Sequence, residues 1–357
     1  YATRKIILKA TYFLIAIAIV MIYFMIELFN PFLKAICVAV LLAIATSSLT
    51  LYLEQKLKSR IIASSIMTII LTSIFFVPIV YCIFSFINFF NQMDQQSLIH
   101  ILDQMKIFLQ NVSKELPFLK TSLNDITSKI DVAKTVENIF SVSAYLGKNS
   151  AQFIIDIVMI LIFFFFFTLY SSSIAKFIED LLPIKNEDSI VLFNESSNVM
   201  TVVLYSILVT AIFEGFLFGI FLAFFGYDGL LFGVLYGFGS LIPVVGGVIM
   251  WLPIVTYEAT TGSSTNAIII AIYSIVVISI IADTFIKPMI IKYINQKVVK
   301  TPTSLNELLI FFSIVAGLST FGFWGMIIGP AMVTFFISIM HLLKKYSDNF
   351  RDDLTYD

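Results

Sequence analysis

The sequence predicts an all-α polytopic membrane protein. About six spanning helices are expected, plus two broken or re-entrant helical hairpins in an inverted repeat, with a helical external segment. Three observations predict this. Apolar types make up 59% of the 357 residues and charged types 13%, against roughly 45–50% and about 25% in a soluble domain. Six windows are apolar over about 20 residues or more, the length a helix needs to cross a bilayer core: 10–29, 32–53, 61–91, 151–170, 199–225 and 266–286. Glycine is uneven: 14 of the 15 lie at or after Gly215, and the earlier one is Gly147. This composition excludes an ordinary soluble enzyme. A net charge of −1 with no basic tail excludes a nucleic-acid binder.

The first window follows Arg4, Lys5 and Lys9. That is a signal-like start, but no small-residue cleavage site interrupts the run, so a retained helix is expected. Residues 1–91 read as N-terminal scaffold helices. Cys37 and Cys82 sit in apolar runs and read as small buried hydrophobes rather than a disulfide. Segment 92–150 is polar, with apolar residues at Leu98, Leu102, Met105, Leu109, Val112 and Leu116. The alternating spacing is a heptad stripe. It continues through Leu119, Leu123, Ile126 and Ile130 beyond Pro117, which breaks a single helix. Thr121 and Ser122 are N-cap candidates for a following helix. The stripe fits a cap folded on itself or a subunit contact. Residues 151–198 read as a fourth membrane helix and a cytoplasmic connector. The run Phe163 to Phe167 reads as lipid-facing and packing bulk.

Residues 199–343 form the glycine-rich core, and 344–357 a cytoplasmic tail. Apolar regions 229–258 and 305–343 are each broken near the middle by Gly and Pro. The arms around Pro243 rise only about 21 Å, which suits re-entrant hairpins whose irregular backbone is buried in protein or lines a cavity. The order helix, hairpin, helix, hairpin is an inverted repeat, as in secondary transporters. With the N-terminus in the cytoplasm, 15 of the 22 basic residues fall on cytoplasmic segments, as the positive-inside rule asks.

Candidate transport residues follow. Ser206, Thr210 and Glu214 stand at i, i+4 and i+8, as do Ser279, Asp283 and Lys287, so each set forms one polar stripe. Ionisable groups inside a membrane are costly and mark function. Asp283 has an alternative reading, as a local partner of Lys287 one turn away. Asp156 and Glu258 read as interfacial. The first tip contains Ser240, Pro243, Gly246 and Gly247; the second contains Ser319, Thr320, Gly322, Gly325, Gly329 and Pro330. Such tips either leave backbone groups free for a substrate or ion, or let helices approach closely. No HExxH and no GxxxxGK[ST] occurs, so no catalytic residue, metal ligand or cofactor is assigned.

The stretches GYDGLLFGVLYGFGSLIPVVGGVIMWLP (226–253), ADTFIKPMI (282–290) and GLSTFGFWGMIIGPAM (317–332) carry a resemblance. With them the chain resembles the bacterial autoinducer-2 exporter family. The matching positions are Pro243 and Gly246, Asp283 and Pro288, and Gly322, Gly325, Gly329 and Pro330. One departure is Ala45-Thr46-Ser47-Ser48, where many relatives carry a proline. The resemblance implies a polytopic inner-membrane transporter and suggests a homo-oligomer, with a pentamer as one form. Family members are associated with autoinducer-2 export, others with sodium/proton antiport.

The expected function is therefore secondary transport of a small polar solute, autoinducer-2-like, by alternating access. The alternatives are a sodium (cation)/proton antiporter and a non-transporting membrane scaffold. The expected partners are the solute, a monovalent cation and proton, and the lipid bilayer, with no nucleic acid.

Overall fold

The elements follow from where the apolar runs are interrupted. A computed structural model describes residues 2–92, 95–115, 128, 131–181, 186–240, 246–261, 263–297 and 307–355. Among these, every regular element is helical. Helix α1 (Ala2–Phe29) passes through a tight turn at Asn30–Phe32, opened by Pro31, into α2 (Leu33–Ala45). The first two expected windows thus join into one apolar helical stretch, Tyr12–Ala45. No described side chain of α1 is buried, so the described packing of the N-terminal half begins at α2.

On α2 the buried face is Ala35, Val38, Ala39 and Leu42, at the i, i+3, i+4, i+7 spacing of one helix face. Cys37 points the other way and is exposed, while Cys82 is buried; both are free thiols. The expectation that both cysteines are buried is corrected here: Cys37 lies on the apolar outer face of its helix.

Thr46 ends α2, and α3 spans Ser47–Leu57. The Thr46 and Thr50 hydroxyls donate to Leu42 O (2.8 Å) and Thr46 O (3.0 Å), a local competition with the backbone that bends helices. Lys58 at φ 53° and Ser59, whose side chain accepts from Ile62 N, turn the chain into α4 (Arg60–Leu71). A widened turn at Thr72–Phe76, where Val77 N–H reaches back to Thr72 O, leads into α5 (Val77–Gln92). Pro78 accounts for it: it cannot donate to the carbonyl one turn back, so the ladder shifts register ahead of it.

Helix α6 (Gln95–Glu115) packs against α7 (Val132–Leu169) and, further along the chain, against α11 (Gly246–Thr261). Leu98 of the heptad stripe is buried. Pro117, Thr121 and Ser122 lie outside the described residues. Helix α7, N-capped by Asp131 (3.2 Å to Lys134 N), runs unbroken from the polar segment into the apolar span, so residue 150 is not a helix boundary. Helix α8 (Ser171–Leu181) follows, then α9 (Asn186–Ala223), about 57 Å long at 1.5 Å per residue. Its Val199, Met200, Val203 and Leu204 join a core with α2, α4, α5 and α7. Its Phe218 and Leu222 join a second core with α10 (Gly229–Gly239), α11 and α12 (Ser264–Tyr273).

Helix α12 widens into an i→i+5 helix over Ser274–Ile286 before α13 (Lys287–Lys297). Pro288 lies just beyond, the same arrangement as Pro78. Helix α14 (Glu307–Phe321) reverses at Gly322 (φ +64°) through Gly322–Trp324 into α15 (Gly325–Thr355). Among the described residues, six helical stretches are long and apolar enough to cross a membrane, of which Leu308–Lys344 folds back on itself.

Candidate functional site

The glycines set how closely the helices of the C-terminal half approach. Gly226 (φ +82°) turns the chain between α9 and α10. Along the pair, a Cβ on Gly229 would stand 2.6 Å from Gly219 O, one on Gly233 2.7 Å from Gly215 O, and one on Gly237 2.5 Å from Ala211 O. The second pair is built alike. Cβ atoms on Gly317 and Gly325 would run into each other's carbonyls, and one on Gly329 into Ser313 O. Two antiparallel small-residue seams, four residues apart in step, thus hold α9 to α10 and α14 to α15.

Next to the first seam, Ser206, Thr210 and Glu214 are buried along α9. The Thr210 hydroxyl donates to Ser206 O at 2.6 Å, and the Ser206 hydroxyl has no hydrogen-bond partner among the described residues. Lys287 reaches across from the start of α13, Nζ donating to Glu214 Oε1 at 3.5 Å. The carboxylate side chain is 2% exposed and the lysine 34%. Lys287 thus meets an acid on α9; the reading that it pairs with Asp283 one turn before it falls on a side chain outside the described ones. Higher up, Tyr273 stacks on Phe221 at 3.6 Å and donates to Leu217 O at 3.1 Å. The helices therefore run antiparallel, with the ion pair between the apolar packing above and Val202–Ile294 below. Asp283 lies in the wide helix, its side chain outside the described ones. Ser279 supplies its carbonyl to the Thr284 hydroxyl at 3.4 Å.

At the first tip Ser240 donates to Gly237 O at 3.0 Å; Pro243 lies outside the described residues. Gly246 and Gly247 open α11 in helical conformation. Gly247 is required for another reason: a Cβ there would stand 2.7 Å from the Tyr236 hydroxyl. At the second tip, Ser319 and Thr320 are exposed and Thr320 donates to Ala316 O at 2.9 Å. Gly325, Gly329 and Pro330 lie within α15.

Sequence reasoning missed what joins the tips. Phe238 of the first lies 6.5 Å from Phe75, Phe75 lies 5.2 Å from Phe76, and Phe76 lies 6.2 Å from Trp324 of the second. Trp324 also stacks on Phe153 of α7 at 5.5 Å. The end of α10 and the second tip thus both rest on the widened turn of the third window. The signal was Pro78 inside an apolar run.

The sequence profile of AI-2E family transporters matches residues 12–345. The chain belongs to the AI-2E transporter family. A Helicobacter pylori (strain ATCC 700392 / 26695) protein named "Putative transport protein" is 33% identical over 340 residues, 95% of this chain and 97% of its own. A like-named Aquifex aeolicus (strain VF5) protein is 22% identical over 322 residues, 82% and 85% of the two chains. With its membrane-length helices, this AI-2E chain is a multi-pass membrane transporter.

Two further polar sites belong to this AI-2E chain. At the Thr46 break, Ser197 donates to Ile44 O (3.2 Å) and Thr201 to Ala45 O (2.9 Å), so α9 satisfies carbonyls at the end of α2. The Ala45–Ser48 departure is therefore a stitched joint. At the other end, Glu258 accepts from the Tyr227 hydroxyl (2.6 Å), Asn266 Nδ2 (3.2 Å) and Ser263 N (3.4 Å). It ties the α9–α10 turn to the α11–α12 turn. The Tyr227 hydrogen bond, with help from Asn266 and Ser263, holds its carboxyl below the ordinary carboxylate value; burial opposes the shift. Desolvation and the neighbouring carboxylate push the Tyr227 hydroxyl up.

Proposed function

We propose that this chain is an ion-coupled secondary transporter that exports a small polar solute, autoinducer-2-like, by alternating access. The observation that carries the reading is the ion pair between Glu214 on the first repeat and Lys287 on the second, buried on the carboxylate side. A proton or monovalent cation arriving at Glu214 removes the attraction that holds Lys287. Binding energy at the carboxylate then becomes a change in how the two helices sit. Lys287 begins α13 where the ladder returns from i→i+5 to α-helical register. Widened turns of this kind recur at functional sites, and a register shift there would swing the lysine. The Ser206 hydroxyl and the tip backbones offer neutral polar groups for the solute. The reading places the protein in the bacterial inner membrane with both termini cytoplasmic.

A second reading, sodium/proton exchange, is favoured by the same carboxylate. Proteoliposomes separate the two. Solute efflux driven by a proton or sodium gradient, abolished in Glu214→Gln and Lys287→Met, supports the proposal. Proton release on sodium addition with no solute moved transfers it to antiport. Flux unchanged in both variants removes the pair from the mechanism.

A further inference from the structure

Helix α8 has none of its residues buried, yet its sequence is divided into two faces. Ile174, Phe177, Ile178 and Leu181 fall at i, i+3, i+4 and i+7, the spacing of one apolar stripe; Ser172, Ser173, Lys176, Glu179 and Asp180 lie away from it. Phe177 is 65% exposed and Leu181 72%.

Two observations say what covers that face. The first is continuity with the membrane. The span Ser150–Leu169 ends two residues before α8. Ile155, Val158, Ile162, Phe166 and Tyr170 are exposed along it, and Phe166 and Tyr170 stack at 6.4 Å and 6°. After the break at Tyr170, exposed apolar side chains resume at Phe177, Ile178 and Leu181. The second is Arg60, which opens the span Arg60–Ser85. Its guanidinium donates to Thr168 O (3.4 and 3.3 Å), to the Ser172 hydroxyl at 2.7 Å and to the Ser171 hydroxyl. A cation is thus seated on the last carbonyls of α7, where the helix dipole favours it, and it fixes the first turn of α8 at the level where two spans meet the membrane surface.

We propose that α8 lies in the bilayer interface on the Arg60 side. Phe177, Ile178 and Leu181 enter the acyl boundary, and Lys176, Glu179 and Asp180 face water. The partner is the phospholipid surface itself. The three charged residues of α8 sum to −1, so the contact is apolar and independent of anionic headgroups, unlike basic interfacial helices. The helix then acts as a float between the scaffold and α9, keeping the connector at a fixed depth.

The test uses the full chain in phosphatidylcholine vesicles with Cys37 and Cys82 replaced by alanine. Nitroxide labels are placed singly through Phe177→Cys, Leu181→Cys and Lys176→Cys. Labels at 177 and 181 are expected to relax with oxygen and to be shielded from a water-soluble nickel complex, with the reverse at 176. Adding anionic phosphatidylglycerol leaves that pattern unchanged. Nickel access at 177 and 181 equal to that at 176 overturns the proposal, as does membrane burial that appears only with anionic lipid. Shielding from both reagents with spin–spin broadening assigns the face to a second copy instead.

Discussion

At the scale of single residues, the charged groups in this AI-2E chain divide by what surrounds them. Glu214 faces a lysine from another element, 3.5 Å away. Taking a carboxylate out of water is costly, and pairing only partly offsets that cost, so the arrangement is weak evidence for stability and better evidence for use. Glu258 is different. Three donors hold it at the turn side of the molecule, and its carboxyl sits below its ordinary value of 4.5. A depressed pKa contributes stability that is complete above the ordinary value and is lost as pH falls through the depressed one. Thermal unfolding in detergent at neutral pH and below the carboxylate range should show the wild type losing more melting temperature than Glu258→Gln. An equal loss in both would remove the acid-sensitive contribution from this residue.

At the scale of elements, the seams depend on the absence of a side chain. On α14 and α15 the facing backbones at Gly317 and Gly325 leave no room for a Cβ. Overpacking of this kind costs about 1–3 kcal/mol, so Gly325→Ala should lower the melting temperature clearly. Ala316→Ser, on the exposed side of α14, should leave it unchanged. The widened helices make a complementary point. Thr72–Phe76 and Ser274–Ile286 each stop one residue short of a proline pair partner, Val77–Pro78 and Lys287–Pro288. A proline removes one donor from the ladder, and at both places the neighbouring turn absorbs the loss by widening. One of these turns carries the aromatic bridge between the tips; the other presents Lys287 to Glu214.

At the scale of the whole molecule, α9 is the common member. It contributes to both cores, carries one side of the glycine seam and the ion pair, and stitches the joint at Thr46. Arrangement across the membrane is checked by labelling single cysteines with an impermeant thiol reagent in a cysteine-free background. On the proposed orientation, Lys58→Cys should react only from the cytoplasmic side of membrane vesicles and Asp131→Cys only from the opposite side, with the candidate span Arg60–Ser85 between them. Labelling of both from one side would overturn the crossing, and the reversed pattern would overturn the proposed orientation.

By itself the sequence determined the class of structure, because hydrophobic length and charge placement are local quantities. Helical content, four of the six expected windows as separate spans, the break near Gly322 and the polar stripe on α9 were legible, since each depends on residues within a few turns; windows 10–29 and 32–53 form one helical stretch. Glu214 was legible as a candidate for the same reason: a carboxylate in an apolar run is conspicuous without coordinates. What only the tertiary structure decided was which groups meet. The Glu214 partner lies 73 positions away, and the tips share Phe75 and Phe76 from a third element. The outward face of Cys37 was equally hidden, because an apolar run reads the same whether protein or lipid covers it. In a membrane both environments are apolar, so only the packing of helices tells them apart.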